Sequence, residues 1–365
     1  MMASRVSPMP NDTPAARAIE ARKSRHLDIC LEDDVASRLD AGFGAVRLRH
    51  EALPEMALED VDTACSFLGH RLAAPLLISS MTGGTQRAGS INRNLAVAAE
   101  RSGVALALGS QRAALADPAS LSTYRVREVA PKVVLFANLG AVQFNYGVTL
   151  DDARRVVDDV GANGLYLHLN PLQEALQPRG DTNFRDLLPK IAALVRALDV
   201  PVVVKSVGSG ISVPTARRLL ETGVAALDVA GAGGTSWARV EGRRAGNAEH
   251  EALAEAFAGW GYPTLEATVA LRAAFGDATL VASGGVRSGV DVAKALALGA
   301  NLAAAALPFL EPATRSADAA CAALEIFVQG LRVALFASGC RRVEDLPAAL
   351  HPRGSAATLT VEPSI

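Results

Sequence analysis

Several residue types on which common functions depend are scarce in this sequence. Aromatic residues make up only 4% of the 365 residues, which disfavours the stacking platforms that bind bases or sugars. The formal net charge is −2, so no excess of one sign indicates a polyanion-binding surface. We therefore expect no nucleic-acid partner.

The cysteine pattern and the hydropathy pattern limit the location of the protein. The four cysteines (Cys30, Cys65, Cys321 and Cys340) show neither a CxxC pair nor metal-ligand spacing, which favours free thiols in a reducing compartment. No uninterrupted apolar run reaches the roughly 18 residues of a membrane span. The first 26 residues lack the apolar stretch of a secretory signal. We expect a cytoplasmic enzyme with no membrane partner.

Short apolar runs alternate with longer amphipathic stretches along most of the chain. Nearly continuous apolar runs are typical of parallel strands that are buried on both faces. Eight such units predict an α/β fold with a closed (β/α)8 TIM barrel. A doubly wound sheet is the alternative, but its GxGxxG motif is absent after the first run. The runs are 75–80, 104–110, 133–139, 165–170, 201–207, 226–233, 279–285 and 302–308.

The rest of the chain is divided around this barrel. We expect residues 1–70 to form an N-terminal extension capping the barrel mouth, residues 71–345 to form the barrel, and residues 346–365 to form a C-terminal tail. Residues 236–263 make the longest connection, which we interpret as a lid with a short helix.

Polar residues follow seven of the eight apolar runs. In a (β/α)8 barrel the carboxyl ends of the strands and their loops build the active site. A buried polar group without a partner costs roughly 1–3 kcal/mol, so this concentration predicts a ligand. Examples are Ser79, Thr82, Ser110, Asn138, Asn170, Lys205, Thr235 and Ser283.

Three features indicate a flavin mononucleotide (FMN) site. The segment "SGGVRSG" (283–289) and the small residues after 302 offer free backbone amides where this fold binds phosphate, although Gly284 and Gly285 are also compatible with a simple tight turn. Lys205, inside an apolar run, needs an anion or an electron-rich ring; a Schiff base is the alternative. Asn138 and Ser110 suit the edge of a polar heterocycle.

Two charged groups are candidates for binding a second phosphate-bearing ligand. Glu174 lies in the expected loop after 165–170, and one carboxylate with phosphate oxygens and water is the ordinary Mg²⁺ arrangement. The basic segment "RKSRH" (22–26) can clamp a diphosphate. A solvated loop carboxylate and a solvated basic face are the respective alternatives.

The motifs together resemble type 2 isopentenyl diphosphate isomerases over about residues 20–310. The most specific is "HLNPLQE", with "GDTNF" downstream, whereas "SGGVRSG" is shared with other flavin barrels. The motifs are "RKSRH" (22–26), "MTGGT" (81–85), "GSQR" (109–112), "NLGA" (138–141), "HLNPLQEALQPRGDTNF" (168–184), "VKSVGSGIS" (204–212), "DVAGAGGTSWARVE" (228–241) and "SGGVRSGVDVAKALALGA" (283–300).

The resemblance implies an activity, cofactors and an assembly. The activity is interconversion of isopentenyl and dimethylallyl diphosphate, with reduced FMN as the acid–base group, Mg²⁺ on the diphosphate and NADPH only as the flavin reductant. The assembly is a homo-octamer, a dimer of tetramers. An FMN-dependent oxidoreductase of the 2-hydroxy-acid oxidase type is the alternative, although 283–289 lacks the histidine base that it needs.

The resemblance also assigns roles to residues of this chain. Catalytic or proton-relay roles fall on His168, Gln173 and Glu241, and the metal ligand is Glu174. Substrate contacts are Arg22, Lys23, His26, Ser110, Arg112, Asn170 and Gln173. FMN contacts are Met81, Thr82, Gly83, Ser110, Asn138, Lys205, Thr235, Gly284, Gly285, Arg287, Ala304 and Ala305. The chain departs from the common family pattern at Ser206 (Glu), Ala304 (Gly) and Leu307 (Arg).

Overall fold

Eight parallel strands close into a barrel in the computed structural model, which describes residues 14–351. Every predicted apolar run overlaps one of these strands, so the predicted TIM barrel is confirmed. A two-stranded antiparallel hairpin, β1 (Cys65–Phe67) and β2 (His70–Leu72), precedes it. The barrel strands are β3 (Leu76–Ile78), β4 (Ala105–Ala107), β5 (Leu135–Gly140), β6 (Gly164–His168), β7 (Val202–Lys205), β8 (Ala226–Asp228), β9 (Leu280–Ser283) and β10 (Leu302–Ala305), with β10 paired to β3.

Helices connect the strands and cover the outside of the barrel. Many begin at a hydroxyl or amide side chain that caps the free amides of the first turn, as Thr85 does for Ala88 at the start of α2. The helices are α1 (Pro14–Glu32), α2 (Gln86–Ser102), α3 (Arg112–Ala116), α4 (Leu150–Asp158), α5 (Pro171–Leu176), α6 (Leu187–Ala197), α7 (Val213–Leu220), α8 (Trp237–Ala245), α9 (Ala248–Ala256), α10 (Thr264–Ala274), α11 (Gly289–Ala297), α12 (Leu307–Arg315) and α13 (Ala317–Ala337).

The interior of the barrel is apolar in its middle and polar at its carboxyl end. Phe136, Tyr166 and Val203 pack together in the middle, and Phe67 of the hairpin joins the same cluster. Side chains alternate along a strand, so the residues two positions further on also point inward. Counted from Phe136, Tyr166, Val203, Ala226 and Val281 of that cluster, those residues are Asn138, His168, Lys205, Asp228 and Ser283, and this alternation brings their polar groups to one place.

Helix α13 is long and apolar enough to cross a membrane by length and composition alone, and it is the one such helix among residues 14–351. Its stripe of buried residues at helical spacing includes Leu324, Phe327 and Leu331, and the helix packs against α2, α11 and α12. The apolar character of α13 is thus partly explained by its packing on the barrel.

The segments outside the barrel occupy both of its ends. Helix α1 contacts α3, α8 and α12, whereas the β1–β2 hairpin contributes Phe67 and Leu72 to the interior cluster. The connection 236–263 carries two helices, α8 and α9, rather than the single short helix expected. The boundaries at 70 and 345 stay predictions, and residues 1–13 and 352–365 of the end segments lie outside the described residues.

Candidate active site

A cavity of about 250 Å³ lies at the carboxyl end of the barrel. All but three of the predicted site residues line it, although their individual roles stay predictions. The predicted residues that line it are Arg22, Lys23, His26, Met81, Thr82, Ser110, Asn138, His168, Asn170, Gln173, Glu174, Lys205, Thr235, Gly284, Gly285, Arg287, Ala304 and Ala305. Helix α1 supplies the first three, so the N-terminal segment forms part of the wall.

The rim after β9 is built by backbone rather than side chains. Gly284 and Gly285 have φ values of +100° and +78°, and a Cβ at Gly284 would overlap the carbonyl oxygen of Gly231. Within residues 14–351 their amides donate no hydrogen bond, and Arg287 also lines the cavity. The turn therefore requires glycine, and it also presents free donors that fit a phosphate.

Lys205 ends β7 and points into the floor of the cavity. Among the described residues, its Nζ donates to the carbonyl oxygen of Ser206, at 2.8 Å. Burial lowers the pKa of Lys205, while the nearby carboxylate of Asp228 raises it. An ammonium with unused N–H donors fits an electron-rich heterocycle bound above it.

Asp228 is a buried carboxylate that sequence reasoning missed. It is the register partner of Lys205 on the neighbouring strand, and its Oδ1 accepts from Ser283 Oγ at 2.6 Å and from the amide of Ala230 at 3.1 Å. Its Oδ2 and the hydroxyl of Tyr166 are both buried, and the two side chains interact with each other. Burial raises the pKa of Asp228. The signal was present in the sequence as an acidic residue inside the apolar run 226–233.

His168 is held in one orientation by Asn138. The Nδ1 of His168 lies 2.9 Å from Asn138 Oδ1, and Asn138 Nδ2 donates to Ser80 Oγ at 2.8 Å. Burial, reinforced by Lys205 and Lys23, lowers the pKa of His168 to about 3. The imidazole is therefore neutral at ordinary pH and presents Nε2 as an acceptor when Nδ1 carries the proton.

Glu241 lies behind the wall of the cavity instead of lining it. Its Oε1 accepts from Gln173 Nε2 at 2.9 Å and lies 3.1 Å from His26 Nε2, and its Oε2 accepts from Arg244 Nε at 2.6 Å. Burial alone would raise the pKa of Glu241, but the contacts with His26, Gln173 and Arg244 lower it to about 2. Glu241 is thus a fixed anion that orients two residues of the wall.

Glu174 lies on the short helix α5, where a loop was expected. Pro171 opens this helix, and the helical turn directs Gln173 towards Glu241 and Glu174 towards other partners. Glu174 accepts from Asn170 Nδ2 at 2.9 Å and from the amide of Asp181 at 2.7 Å. Asn170 Oδ1 is buried and has no hydrogen-bond partner in the part of the chain that the structure describes.

The carboxylate oxygens of Glu174 and the Oδ1 of Asn170 fit a hard divalent cation only if a ligand supplies further oxygens. Within residues 14–351 no group of three His, Cys, Asp or Glu residues is placed to hold a metal. Mg²⁺ commonly takes one or two carboxylates together with substrate phosphates and water. Glu174 and the free oxygen of Asn170 are compatible with that arrangement.

Basic groups from α1 also line the cavity. Arg22 donates from Nη1 to Gln177 Oε1 at 2.8 Å, while its Nε is buried with no partner in the described residues. Burial, together with the charges of Arg22 and Arg112, lowers the pKa of Lys23 to about 7. A cationic group that burial destabilises fits an anionic ligand such as a diphosphate.

The remaining two predicted residues also lie outside the lining of the cavity. Arg112 pairs with Asp181 at 2.5 Å, so its contact with substrate is not visible in this arrangement. A Cβ at Gly83 would overlap the ring of Tyr124, which accounts for this glycine by packing. Their predicted ligand contacts stay predictions.

Comparisons with known proteins identify the family. The chain is 48% identical to the isopentenyl-diphosphate delta-isomerase of Nostoc sp. over 92% of this chain and 97% of that protein. It is 49% identical to the Stutzerimonas stutzeri protein of the same name over 88% and 94% of the two chains. The chain belongs to the isopentenyl-diphosphate delta-isomerase family. The resemblance seen in the sequence motifs is confirmed.

Two further likenesses concern the flavin barrel on which this isomerase family is built. Residues 171–352 match the family model of FMN-dependent dehydrogenases. A mandelate oxidase mutant with a monooxide FMN adduct has a similar structure, with a TM-score of 0.61 and 21% identity over 92% of this chain and 97% of that chain. At this identity the structural likeness shows the fold alone.

The three departures from the isomerase family pattern lie in or beside the part of the cavity that Lys205 and the glycine rim form. Ser206 does not line the cavity, but its carbonyl oxygen holds Lys205. Ala304 is fully buried in β10, and both Ala304 and Leu307 line the cavity. The departures leave Lys205 and the glycine rim in place.

Proposed function

We propose that this protein interconverts isopentenyl diphosphate and dimethylallyl diphosphate without net oxidation or reduction. The observation that carries the proposal is a cavity lined both by free rim amides and by a partly buried basic cluster. Two phosphate-bearing ligands, a cofactor and a substrate, suit such a cavity. The names of the curated relatives supply the substrate.

The cofactor that we propose is FMN. Its phosphate would lie on the amides of Gly284 and Gly285 near Arg287, and its ring would lie over Lys205 and Asn138. The match to FMN-dependent dehydrogenases supports this choice. When bound in its reduced form, FMN would supply an electron-rich face and an exchangeable proton.

The residues of the chain would bind and orient the substrate. Arg22, Lys23 and His26 would hold the diphosphate, and Glu174 would bind Mg²⁺ together with diphosphate oxygens. An unactivated alkene is a very weak base, so the site must exclude water and fix the reacting carbons. Gln173, held by Glu241, is suited to this orientation.

His168 would present a neutral imidazole to the reacting part of the substrate. Its low pKa keeps it uncharged, so it would not add positive charge where a cation develops. Its Nε2 would accept a hydrogen bond without becoming a competing acid.

We further propose that NADPH serves only to reduce the flavin. A cytoplasmic location and a homo-octameric assembly are part of the same proposal, and they rest on the cysteine pattern and on the resemblance described above. Sedimentation velocity of the flavin-loaded protein tests the octamer directly.

A 2-hydroxy-acid oxidoreductase is the second candidate, because the FMN-dependent dehydrogenase model covers residues 171–352. Such an enzyme needs a basic histidine near the rim. The segment 283–289 contains none, and a pKa of about 3 makes His168 a poor base.

One experiment separates the two activities. Flavin-loaded protein is reduced and incubated with isopentenyl diphosphate and Mg²⁺, and dimethylallyl diphosphate is followed by NMR; oxidised protein is separately mixed with mandelate while flavin absorbance is recorded. We expect isomerisation and no bleaching. Bleaching by mandelate without isomerisation would establish the oxidoreductase instead.

A further inference from the structure

Tyr124 lies just outside the cavity and is joined to its basic wall. The Tyr124 hydroxyl donates to the carbonyl oxygen of Ser110 at 2.7 Å, and it accepts from Lys23 Nζ at 2.6 Å. Lys23 Nζ also donates to the same Ser110 oxygen, at 2.7 Å. These hydrogen bonds thus fix three segments to one another. The segments are α1, which carries Lys23, the one after β4, which carries Ser110, and the one after α3, which carries Tyr124.

The ring of Tyr124 is itself immobilised. The residue is fully buried, and the absence of a side chain at Gly83 leaves room for its ring. The preceding residue, Thr123, accepts from the amide of Gly84 at 2.8 Å and from Asn92 Nδ2 at 3.0 Å. The hydroxyl is therefore held at a defined point beside the cavity.

The hydroxyl also has a defined role in its hydrogen bonds. Burial raises the pKa of Tyr124, so the group stays protonated. Its single proton is used by the Ser110 carbonyl, which leaves an oxygen lone pair for Lys23. With Tyr124 and Ser110 as two acceptors, one of the three donors of the Lys23 ammonium remains for a ligand.

We propose that Tyr124 is a positioning residue that holds the ammonium of Lys23 towards the diphosphate. The inference rests on the proposed function, because it assumes that the anion beside Lys23 is the diphosphate. Gly83 then serves the substrate site indirectly, by making space for the tyrosine ring. Neither residue needs to touch the substrate.

The test compares Tyr124→Phe with the unchanged protein, both loaded with flavin. Removing one acceptor from a buried ammonium costs roughly a factor of 5–15 in binding. We expect the KM for isopentenyl diphosphate and the dissociation constant for inorganic pyrophosphate to rise by about that factor, with kcat within about twofold. Tyr262→Phe, at a tyrosine that is 45% exposed, is the matched control and should change neither.

The pH profile separates positioning from a structural effect. The hydroxyl oxygen stabilises the charged form of Lys23, whose pKa is about 7 and is lowered by burial and by Arg22 and Arg112. Its loss should lower that pKa further, so the rise in KM should begin at lower pH in Tyr124→Phe. A general loss of structure would reduce kcat without changing the pH at which KM begins to rise.

A double-mutant cycle with Lys23→Met completes the test. It also distinguishes a general folding defect of Tyr124→Phe from an effect that acts through Lys23. In the Lys23→Met background, Tyr124→Phe should have no further effect on pyrophosphate binding. An equal effect in both backgrounds, or unchanged pyrophosphate binding in Tyr124→Phe, overturns the positioning role. If the unchanged protein binds no pyrophosphate by calorimetry, the proposed substrate site fails first and the inference fails with it.

Discussion

Lys205 and Asp228 are register partners on adjacent barrel strands at the floor of the cavity, where Asp228 is fully buried and Lys205 is partly buried. Ser283 and the amide of Ala230 hold Oδ1 of the carboxylate. Asp228 therefore lies where its charge can stabilise the ammonium of Lys205 from below. The Lys205 ammonium lines the cavity on its other side.

This relationship predicts the effect of Asp228→Asn on a bound flavin. Without the carboxylate the pKa of Lys205 falls further, so less positive charge lies under the ring and the reduced flavin is less stabilised. We expect the FMN potential to fall by ~30 mV, a two-electron shift equivalent to about 1.4 kcal/mol. Dye equilibration measures it. Asp159→Asn on the surface is the control, and an unshifted potential in Asp228→Asn would count against the coupling.

Lys205→Ala should release the flavin. The substitution removes the ammonium that faces the proposed ring, while the glycine rim would keep its proposed phosphate contacts. We expect FMN retention after gel filtration to drop at least about tenfold. Lys190→Ala is the control, since Lys190 binds Phe144 and Asn145 away from the cavity. A variant that stays yellow and fully loaded contradicts the assignment.

Glu174→Gln should weaken the dependence on Mg²⁺ and leave FMN bound. A neutral amide is a poorer ligand for a hard cation than a carboxylate. The Mg²⁺ concentration for half-maximal turnover should therefore rise, by roughly tenfold. Turnover is measured across a Mg²⁺ series, with Glu311→Gln on α12 as the control. Loss of flavin in Glu174→Gln would show that the metal and flavin regions of the cavity have been placed wrongly.

Glu241→Gln should destabilise the protein in a pH-dependent way. The folded pKa of about 2 lies below the ordinary value of 4.5, so the carboxylate contributes stability above pH 4.5 that is lost as the pH falls towards 2. We expect a loss of about 3 kcal/mol at pH 7. Urea unfolding at pH 7 and pH 3 should show the difference between variant and parent shrinking at the lower pH. A constant difference would mean that the charge is not responsible.

The sequence predicted the barrel because each strand is a buried apolar run, and it predicted most of the site because strand ends meet at one edge. Gln173 and Glu174 were identified, but their separate partners depend on the helix α5, which is too short to show a periodic pattern. Arg112 pairs with Asp181, and Glu241 lies behind Gln173. Only the folded chain fixes such contacts between distant segments.

Asp228 and Tyr124 were missed for different reasons. Asp228 stands at an inward position of a strand, and alternation from Ala226 would have placed it beside Lys205. Tyr124 is in an irregular segment with no periodicity, and its contact with Lys23 spans 101 positions of the chain. No local pattern reports that second kind of contact.

The most direct test is the turnover of isopentenyl diphosphate by one flavin-loaded sample, measured by NMR with Mg²⁺ before and after anaerobic reduction of the FMN. We expect no product while the flavin is oxidised, and many turnovers to dimethylallyl diphosphate once it is reduced, with the flavin still reduced at the end. Equal turnover in both states, or one product formed per flavin reoxidised, would contradict it.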